Sequence, residues 1–477
     1  MYDNGDILKL TVAVDPNIVR ADMPAVNRTS AELKNLGTIV QDALIEEGKE
    51  LVQAGIGDAN TEYTLRDLAE AINSAAHRDV LPISGLVTPD APAFHLEYGD
   101  VRGIHALITV LKNFLGVLLG IEVRDYVTIT HGGRSAVFMA VRSFTQFMVA
   151  TLKSMGVEGP PMVAVPVETW GTYPNIVAQA LGDGVFHPIP CRDGLLDAEA
   201  LDEACTRNPR IRMLIFCNPV NPSGRTYGSD RMARIARIVA KHKLCVHADD
   251  MYAMFAWVHP HRSILRAAAA LAHSGEKEVG EWVASHTTLL TGVMKAGGSG
   301  SRVNFMVIPN DNLRARFVAN QGDLYGPPNM MGQLLQLAFI KHGGPERVWL
   351  EMKERRDALQ AKLTEVAGRI TGCPITLTWS AMEGGFYTAM HLNGIGGMKY
   401  TDRSGTSRVI MTGEDMARFL VQRAGIVATP DVAACVGDVT FARIAYGMMR
   451  PETVEVFGNQ LADAVIGLCA ENGHNPK

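Results

Sequence analysis

Met213-Leu214-Ile215-Phe216-Cys217 is apolar on both faces and stops abruptly at Asn218-Pro219-Val220-Asn221-Pro222-Ser223-Gly224. A short apolar run bounded by turn formers is the mark of a strand buried on both sides in a parallel sheet. The same mark recurs at Met162–Pro166, Leu244–Ala248, Thr287–Thr291 and Val303–Ile308. Between Cys217 and Leu244, the residues Met232, Ile235, Ala236 and Val239 fall at i, i+3, i+4, i+7, with Arg234, Arg237 and Lys241 turned elsewhere. That spacing predicts an amphipathic helix lying over a sheet. The alternation, running from about residue 105 to 310, predicts an α/β fold with a mostly parallel sheet. Ligands of such sheets bind beyond the carboxyl ends of the strands.

The remainder of the chain is consistent with a small-molecule protein. Of 477 residues, 47% are hydrophobic and 20% charged, with a formal net charge of −5. That balance argues against wholesale binding of a nucleic-acid backbone. The seven cysteines are odd in number and none forms a C-x-x-C pair, which disfavours a disulfide framework or a structural zinc and points to a reducing, cytoplasmic compartment. Most are expected to be core fillers. The first residues are acidic and lack the basic segment of a signal peptide. The most apolar stretch, Phe114–Ile121, is too short to span a bilayer, so a soluble protein without membrane partners is expected.

The chemistry-bearing residues sit at the ends of the predicted strands. Met213–Cys217 is followed by the Asn221 turn, Leu244–Ala248 by Asp249-Asp250-Met251-Tyr252, and Thr287–Thr291 by Lys295 and Gly297-Gly298-Ser299-Gly300-Ser301-Arg302. Each alone is weak: a turn, a helix cap, a lone lysine beside a Gly-rich loop. Together they place an amide, an acid, a phenol, a lysine and an arginine along one sheet edge.

In this order the segments resemble the fold-type I, pyridoxal-phosphate-dependent aminotransferases of classes I and II. The similarity runs from Gly55-Ile56-Gly57-Asp58 to Arg443-Ile444-Ala445-Tyr446. Between them lie Tyr98-(x)4-Gly103, Ile129-Thr130-His131-Gly132-Gly133, Trp170-Gly171-Thr172-Tyr173, the Asn218–Gly224 turn, Asp249-(x)2-Tyr252, Lys295 with Arg302, and Gly384-Gly385-Phe386. The resemblance implies an α/β large domain over 95–345, with a mostly parallel seven-stranded sheet flanked by helices. It also implies a small α+β domain over 51–94 and 346–477, and an N-terminal arm over 1–50. Its cofactor would be pyridoxal 5′-phosphate and its substrates an amino acid and a keto acid. The working unit would be a homodimer with shared active sites.

The family's roles fall on matching positions. Lys295 resembles the Schiff-base lysine, whose freed amine moves the substrate proton. Asp249 matches the carboxylate that keeps the cofactor's pyridine nitrogen protonated, and its neighbour Asp250 suits a helix cap better. Asn221 and Tyr252 match the donors to the ring oxygen. Trp170 matches the aromatic stacked on the ring, although a core anchor would use the same residue. Gly132, Gly133 and Arg134, at a helix N-terminus beginning near Ser135 and preceded by a strand at Val127–Thr130, suit the phosphate, with Arg302 as a second cation. Tyr98 matches a residue reaching the neighbouring subunit's phosphate, the alternative being a buried turn tyrosine. Arg443 matches the fork that clamps the substrate carboxylate, with Ile56, Gly57 and Asn221 beside it.

Some positions depart from the pattern. Met294 and Gly292 stand where the family carries hydroxyls before the lysine, leaving Arg134 or Thr291 to substitute. Arg302 follows Lys295 by seven positions instead of eight. An Ala-rich helical insert, Ser263–His273, a charged piece, Glu276–Glu281, and an irregular stretch, Leu81–His95 with three prolines, are additional. Val348–Ile370 reads as a helix leading to the small domain, and Ile395–Thr412 as a surface loop. Amino-group transfer is the leading expectation. A second keeps the cofactor and changes the reaction to γ-elimination, replacement or cyclisation, on a substrate like S-adenosylmethionine. A third, a DNA-binding regulator built on this fold, is disfavoured because no basic helix-turn-helix pattern is present.

Overall fold

The computed structural model describes residues 99–474, apart from 258–259, 297 and 432–436. It also describes the backbone of Ile83–Ser84 and His95–Leu96, several positions between 33 and 47, and residues 49–54. Ile56, Gly57 and Tyr98 lie outside the described residues, as does most of 81–95. Where the latter is described, Ile83–Ser84 pairs antiparallel with His95–Leu96, so its ends are strand where an irregular segment was expected.

The main sheet has seven strands: β1 (Val127–Thr130), β2 (Met162–Pro166), β3 (Phe186–Ile189), β4 (Ile211–Cys217), β5 (Cys245–Asp249), β6 (Thr287–Thr291) and β7 (Asn304–Val307). Their order is β1-β7-β6-β5-β4-β2-β3. Pairings among β2 to β6 are parallel, while β7 runs antiparallel to both neighbours. Strands β4, β5 and β6 are buried at every position. The mostly parallel α/β sheet expected from the apolar runs is therefore present, and register aligns its working edge. Asp249 pairs with Cys217 of β4 on one side and Leu290 of β6 on the other, so the carboxyl ends of three strands finish level.

Helices cover both faces. Gly133–Ser154 starts directly off β1 and buries Ala136, Val137, Ala140, Val141, Phe144 and Met148. Ser229–Lys241 buries Met232, Ile235, Ala236 and Val239, the face that the spacing predicted. The expected insert is helical and larger than the Ala-rich run suggested. Ile264–His273, capped by the Ser263 hydroxyl accepting from Arg266 N at 3.1 Å, packs on Lys277–Ser285, and both pack on Ser229–Lys241. Their approach is close enough that a Cβ on Gly280 would fall 2.5 Å from the Ala268 carbonyl.

A second sheet is antiparallel, ordered Thr376–Trp379, Tyr387–Asn393, Phe441–Ala445, Thr429–Pro430. The long helices Gly344–Arg369 and Pro451–Glu471 pack against each other beside it. Val52–Gln53 joins this part of the molecule by pairing parallel with Ile426–Val427. The segment Ile395–Thr412, expected as a surface loop, contains a hairpin, Lys399–Thr401 with Ser407–Val409. Its turn is organised by Asp402, which accepts from Ser404 N at 2.9 Å, Thr406 N at 3.0 Å and Arg408 Nε at 2.9 Å. Such a side-chain-built turn leaves little trace in hydrophobic periodicity.

The two sheets meet at the Asn218–Gly224 turn. Gly224 O accepts from Glu383 N at 2.9 Å and Gly384 N at 2.8 Å, and Glu383 receives Arg225 Nε at 3.0 Å. Gly224 has φ +69°, and a Cβ there would lie 2.1 Å from the Tyr387 carbonyl. This contact needs glycine for both reasons.

Candidate active site

A cavity of about 470 Å³ opens where β4, β5 and β6 end, bounded on the far side by the second sheet. Gly133, Arg134, Trp170, Asn221, Asp249, Tyr252, Lys295, Arg302 and Arg443 all line it. Nine positions chosen from the sequence thus converge on one space. Gly132 lies just behind, with φ +96° and so near Arg302 that a Cβ would stand 2.6 Å from Nη2.

At the floor, Asp249 is 6% exposed. Its Oδ2 accepts from the Tyr173 hydroxyl at 2.5 Å and its Oδ1 from Met251 N at 3.3 Å. Burial pushes its carboxyl up to about 6, against the opposing pull of these hydrogen bonds and of Lys295. Asp250 faces away and pairs with His261 at 2.9 Å, both buried. It is a buried hydrogen-bonded pair in the core, where a helix cap was expected. Cys217 is also in the cavity wall. Its thiol donates to the Pro219 carbonyl at 3.0 Å, and burial raises it well above the ordinary thiol range, which keeps it unreactive.

On the wall formed by the second sheet, Arg443 Nη1 donates to Asn221 Oδ1 and Nη2 to Thr429 Oγ1, each at 2.9 Å. Holding the Asn221 carbonyl leaves that residue's amide N–H groups for other partners. The guanidinium lies over the Tyr387 ring, 4.6 Å from its centroid, and the Tyr387 hydroxyl is 2.8 Å from that of Tyr252. At the opposite wall, Arg134 lies 5.7 Å from the Trp170 ring centre, and Tyr173 meets the same ring edge-on at 5.3 Å. Lys295 sits in a single helical turn, Met294–Ala296, after β6.

Three residues of the site escaped sequence reasoning. Tyr173 stood in a quoted motif, and its position three after Trp170 was the available signal. Thr429 and Tyr387 carried none of their own, because their partners lie 14 and 135 positions away in sequence.

The groups present suit pyridoxal phosphate. A buried carboxylate displaced upward by desolvation is relieved by a cation placed against it, and a protonated pyridine nitrogen is such a cation. Trp170 offers a flat face, and Arg134, Arg302 and the helix N-terminus at Gly133 offer an anion site. Thr291, raised as a substitute for missing hydroxyls, is not among the cavity-lining residues. Its Oγ1 is buried without a hydrogen-bond partner among the described residues.

A mixed seven-stranded sheet with a lysine, an aspartate and two arginines at its edge is the arrangement of fold-type I pyridoxal-phosphate enzymes. Residues 58–461 match the model of the family "Aminotransferase class I and II", and the chain belongs to that family. It is therefore a pyridoxal 5′-phosphate-dependent enzyme acting on amino acids and keto acids. The aspartate aminotransferase of Rhizobium meliloti is 24% identical over 417 residues, covering 87% of this chain and 88% of the relative. That of Streptomyces avermitilis is 25% identical over 452 residues, covering 91% and 96%. A Petunia hybrida bifunctional aspartate aminotransferase and glutamate/aspartate-prephenate aminotransferase is 26% identical over 361 residues, covering 74% and 67%. Among solved structures, the Rhizobium meliloti enzyme superposes with a TM-score of 0.69 at 18% identity, covering 94% of this chain and 98% of its own.

Proposed function

We propose that this cavity transfers an amino group from an α-amino acid donor to a 2-oxo acid, through the residues assigned from the sequence. The observation that carries the reading is Arg443. Its fork is fixed by Asn221 and Thr429 on one wall of the cavity that Lys295 and Asp249 share. A planar guanidinium so held receives a carboxylate bidentately and orients the α-carbon toward the lysine.

When bound, pyridoxal phosphate supplies a protonated ring that disperses negative charge from the substrate's α-carbon. Asp249 keeps the proton on that ring's nitrogen, Trp170 covers one face, and Arg134 and Arg302 neutralise the phosphate. Lys295 removes and returns the α-proton through its amine. Tyr252 and the Asn221 amide donate to the ring oxygen. Two such sites in a homodimer complete the proposal. The second sheet and its helices act as a small domain that presents Arg443.

Single amino acids added to the cofactor-loaded enzyme should bleach the cofactor's yellow colour and release the matching 2-oxo acid in equal amount. Lys295→Ala should show neither the borohydride-sensitive internal-imine absorbance nor the release. Release of methylthioadenosine from S-adenosylmethionine, with no oxo acid formed from any of a broad amino-acid panel, would overturn amino transfer.

A further inference from the structure

One buried group in the cavity has no task in that reading. Tyr387 opens the strand Tyr387–Asn393, is 1% exposed, and pairs in register with Ala445, two residues beyond Arg443. Its ring carries the Arg443 guanidinium and its hydroxyl meets Tyr252. The two tyrosine rings cross at 86° with centroids 5.2 Å apart. Backbone pairing already holds the strand, and phenylalanine would fill nearly the same volume. The hydroxyl is thus an added buried polar group, and it finds its partner in another phenol.

Each hydroxyl has one proton to give. Were Tyr252 to donate to Tyr387, it would have none for the cofactor. Donation from Tyr387 leaves the Tyr252 proton pointing into the cavity and strengthens it as a donor, because an accepted hydrogen bond polarises the O–H. The cation over the Tyr387 ring withdraws electron density and favours this direction. We propose that Tyr387 is a positioning residue with two contacts: its hydroxyl directs the Tyr252 proton to the cofactor's ring oxygen, and its ring face seats the Arg443 fork for the substrate carboxylate. The proposal deepens the reading of the site above and rests on it.

The other titratable or charged groups around the pair and its cavity are Arg443, Cys217, Asp249, Tyr173, Lys295, Arg134, Arg302 and Tyr446, and all are retained in the variants below. A donor at the ring oxygen favours its anionic form and lowers the pH at which the bound cofactor's absorbance titrates. In the loaded enzyme, Tyr387→Phe should raise that midpoint by about half to one pH unit, the size of one net hydrogen bond. KM for the amino donor should stay within about twofold, since the stacking face remains. Tyr387→Leu should raise the midpoint equally and also raise KM roughly three- to tenfold, by loss of the cation–π seat. In a Tyr252→Phe background, Tyr387→Phe should have no further effect on the midpoint.

The controls separate the two levels of the argument. If Tyr252→Phe itself leaves the midpoint unmoved, the reading of the site fails. If Tyr252→Phe moves it and Tyr387→Phe does not, or if the two variants add, the role of Tyr387 is overturned. An unchanged KM in Tyr387→Leu would remove the seating half alone.

Discussion

The Tyr173 hydroxyl stands 2.5 Å from Oδ2 of Asp249 while its ring packs at right angles to that of Trp170, so one side chain locates both the acid proposed to meet the cofactor nitrogen and the aromatic proposed to cover its ring. The hydrogen bond pulls the Asp249 carboxyl down against the larger effect of burial. Tyr173→Phe should therefore let it rise above about 6 and weaken cofactor binding about five- to tenfold near neutrality, the worth of one net hydrogen bond. The deficit should shrink as the pH is raised from 6 to 8 and Asp249 ionises. Quenching of Trp170 fluorescence during cofactor titration measures it.

Asp249 also makes the cofactor-free chain pH-sensitive. Its folded value, about 6, lies above the ordinary 3.8, so between these values the folded state holds more proton than the unfolded state. Stability then falls as pH rises through that window. Asp249→Asn should remove this slope, leaving the cofactor-free variant more stable at pH 7 than the parent by on the order of 2–3 kcal/mol. It should also abolish turnover. Denaturant unfolding at pH 4.5 and 7 tests the first part. Asp250 and Glu168 are raised by burial too, so the Asp249 contribution is the difference between parent and variant. A parent and variant with equal slopes would refute the assignment.

Arg443→Lys keeps the charge and loses the fork held by Asn221 and Thr429. The amino donor's KM should rise by roughly one to two orders of magnitude, the equivalent of about 1.5–3 kcal/mol for a charge-assisted contact. Cofactor affinity should be nearly unchanged. Steady-state kinetics and a cofactor titration on the same preparation check the pair of outcomes.

Gly224→Ala probes the seam between the sheets. With φ at +69° and a Cβ 2.1 Å from the Tyr387 carbonyl, the methyl cannot be housed without moving backbone. A loss of at least about 2–3 kcal/mol is expected, accompanied by a raised KM because Tyr387 and Arg443 shift with the strand. Thermal unfolding and KM measured together distinguish this from a purely local loop effect.

The main sheet was legible because strands buried on both faces carry continuous apolar runs, as β4, β5 and β6 do. Turn residues mark their ends, so the sequence pattern alone puts Asn221, Asp249 and Lys295 at one edge. Strand β3, Phe186–Ile189, has an exposed proline and only partial burial, and gave no such signal. The hairpin at 399–409 depends on Asp402 and its hydrogen bonds instead of on burial. Tyr173 and Tyr387 escaped for another reason: each earns its place through a partner remote in sequence, 76 positions away for Asp249 and 135 for Tyr252.

The parallel pairing of Val52–Gln53 with Ile426–Val427 has a consequence for the order of assembly. The seven strands of the main sheet are all synthesised by Val307, and contacts between near segments form before distant ones. The strand bearing Arg443 comes much later, and the early strand at Val52 must wait unpaired until Ile426 emerges. Chain order therefore places the floor proposed to receive the cofactor ahead of the wall proposed to receive the amino acid, so that a nascent chain is expected to be able to hold the coenzyme before it can select a substrate.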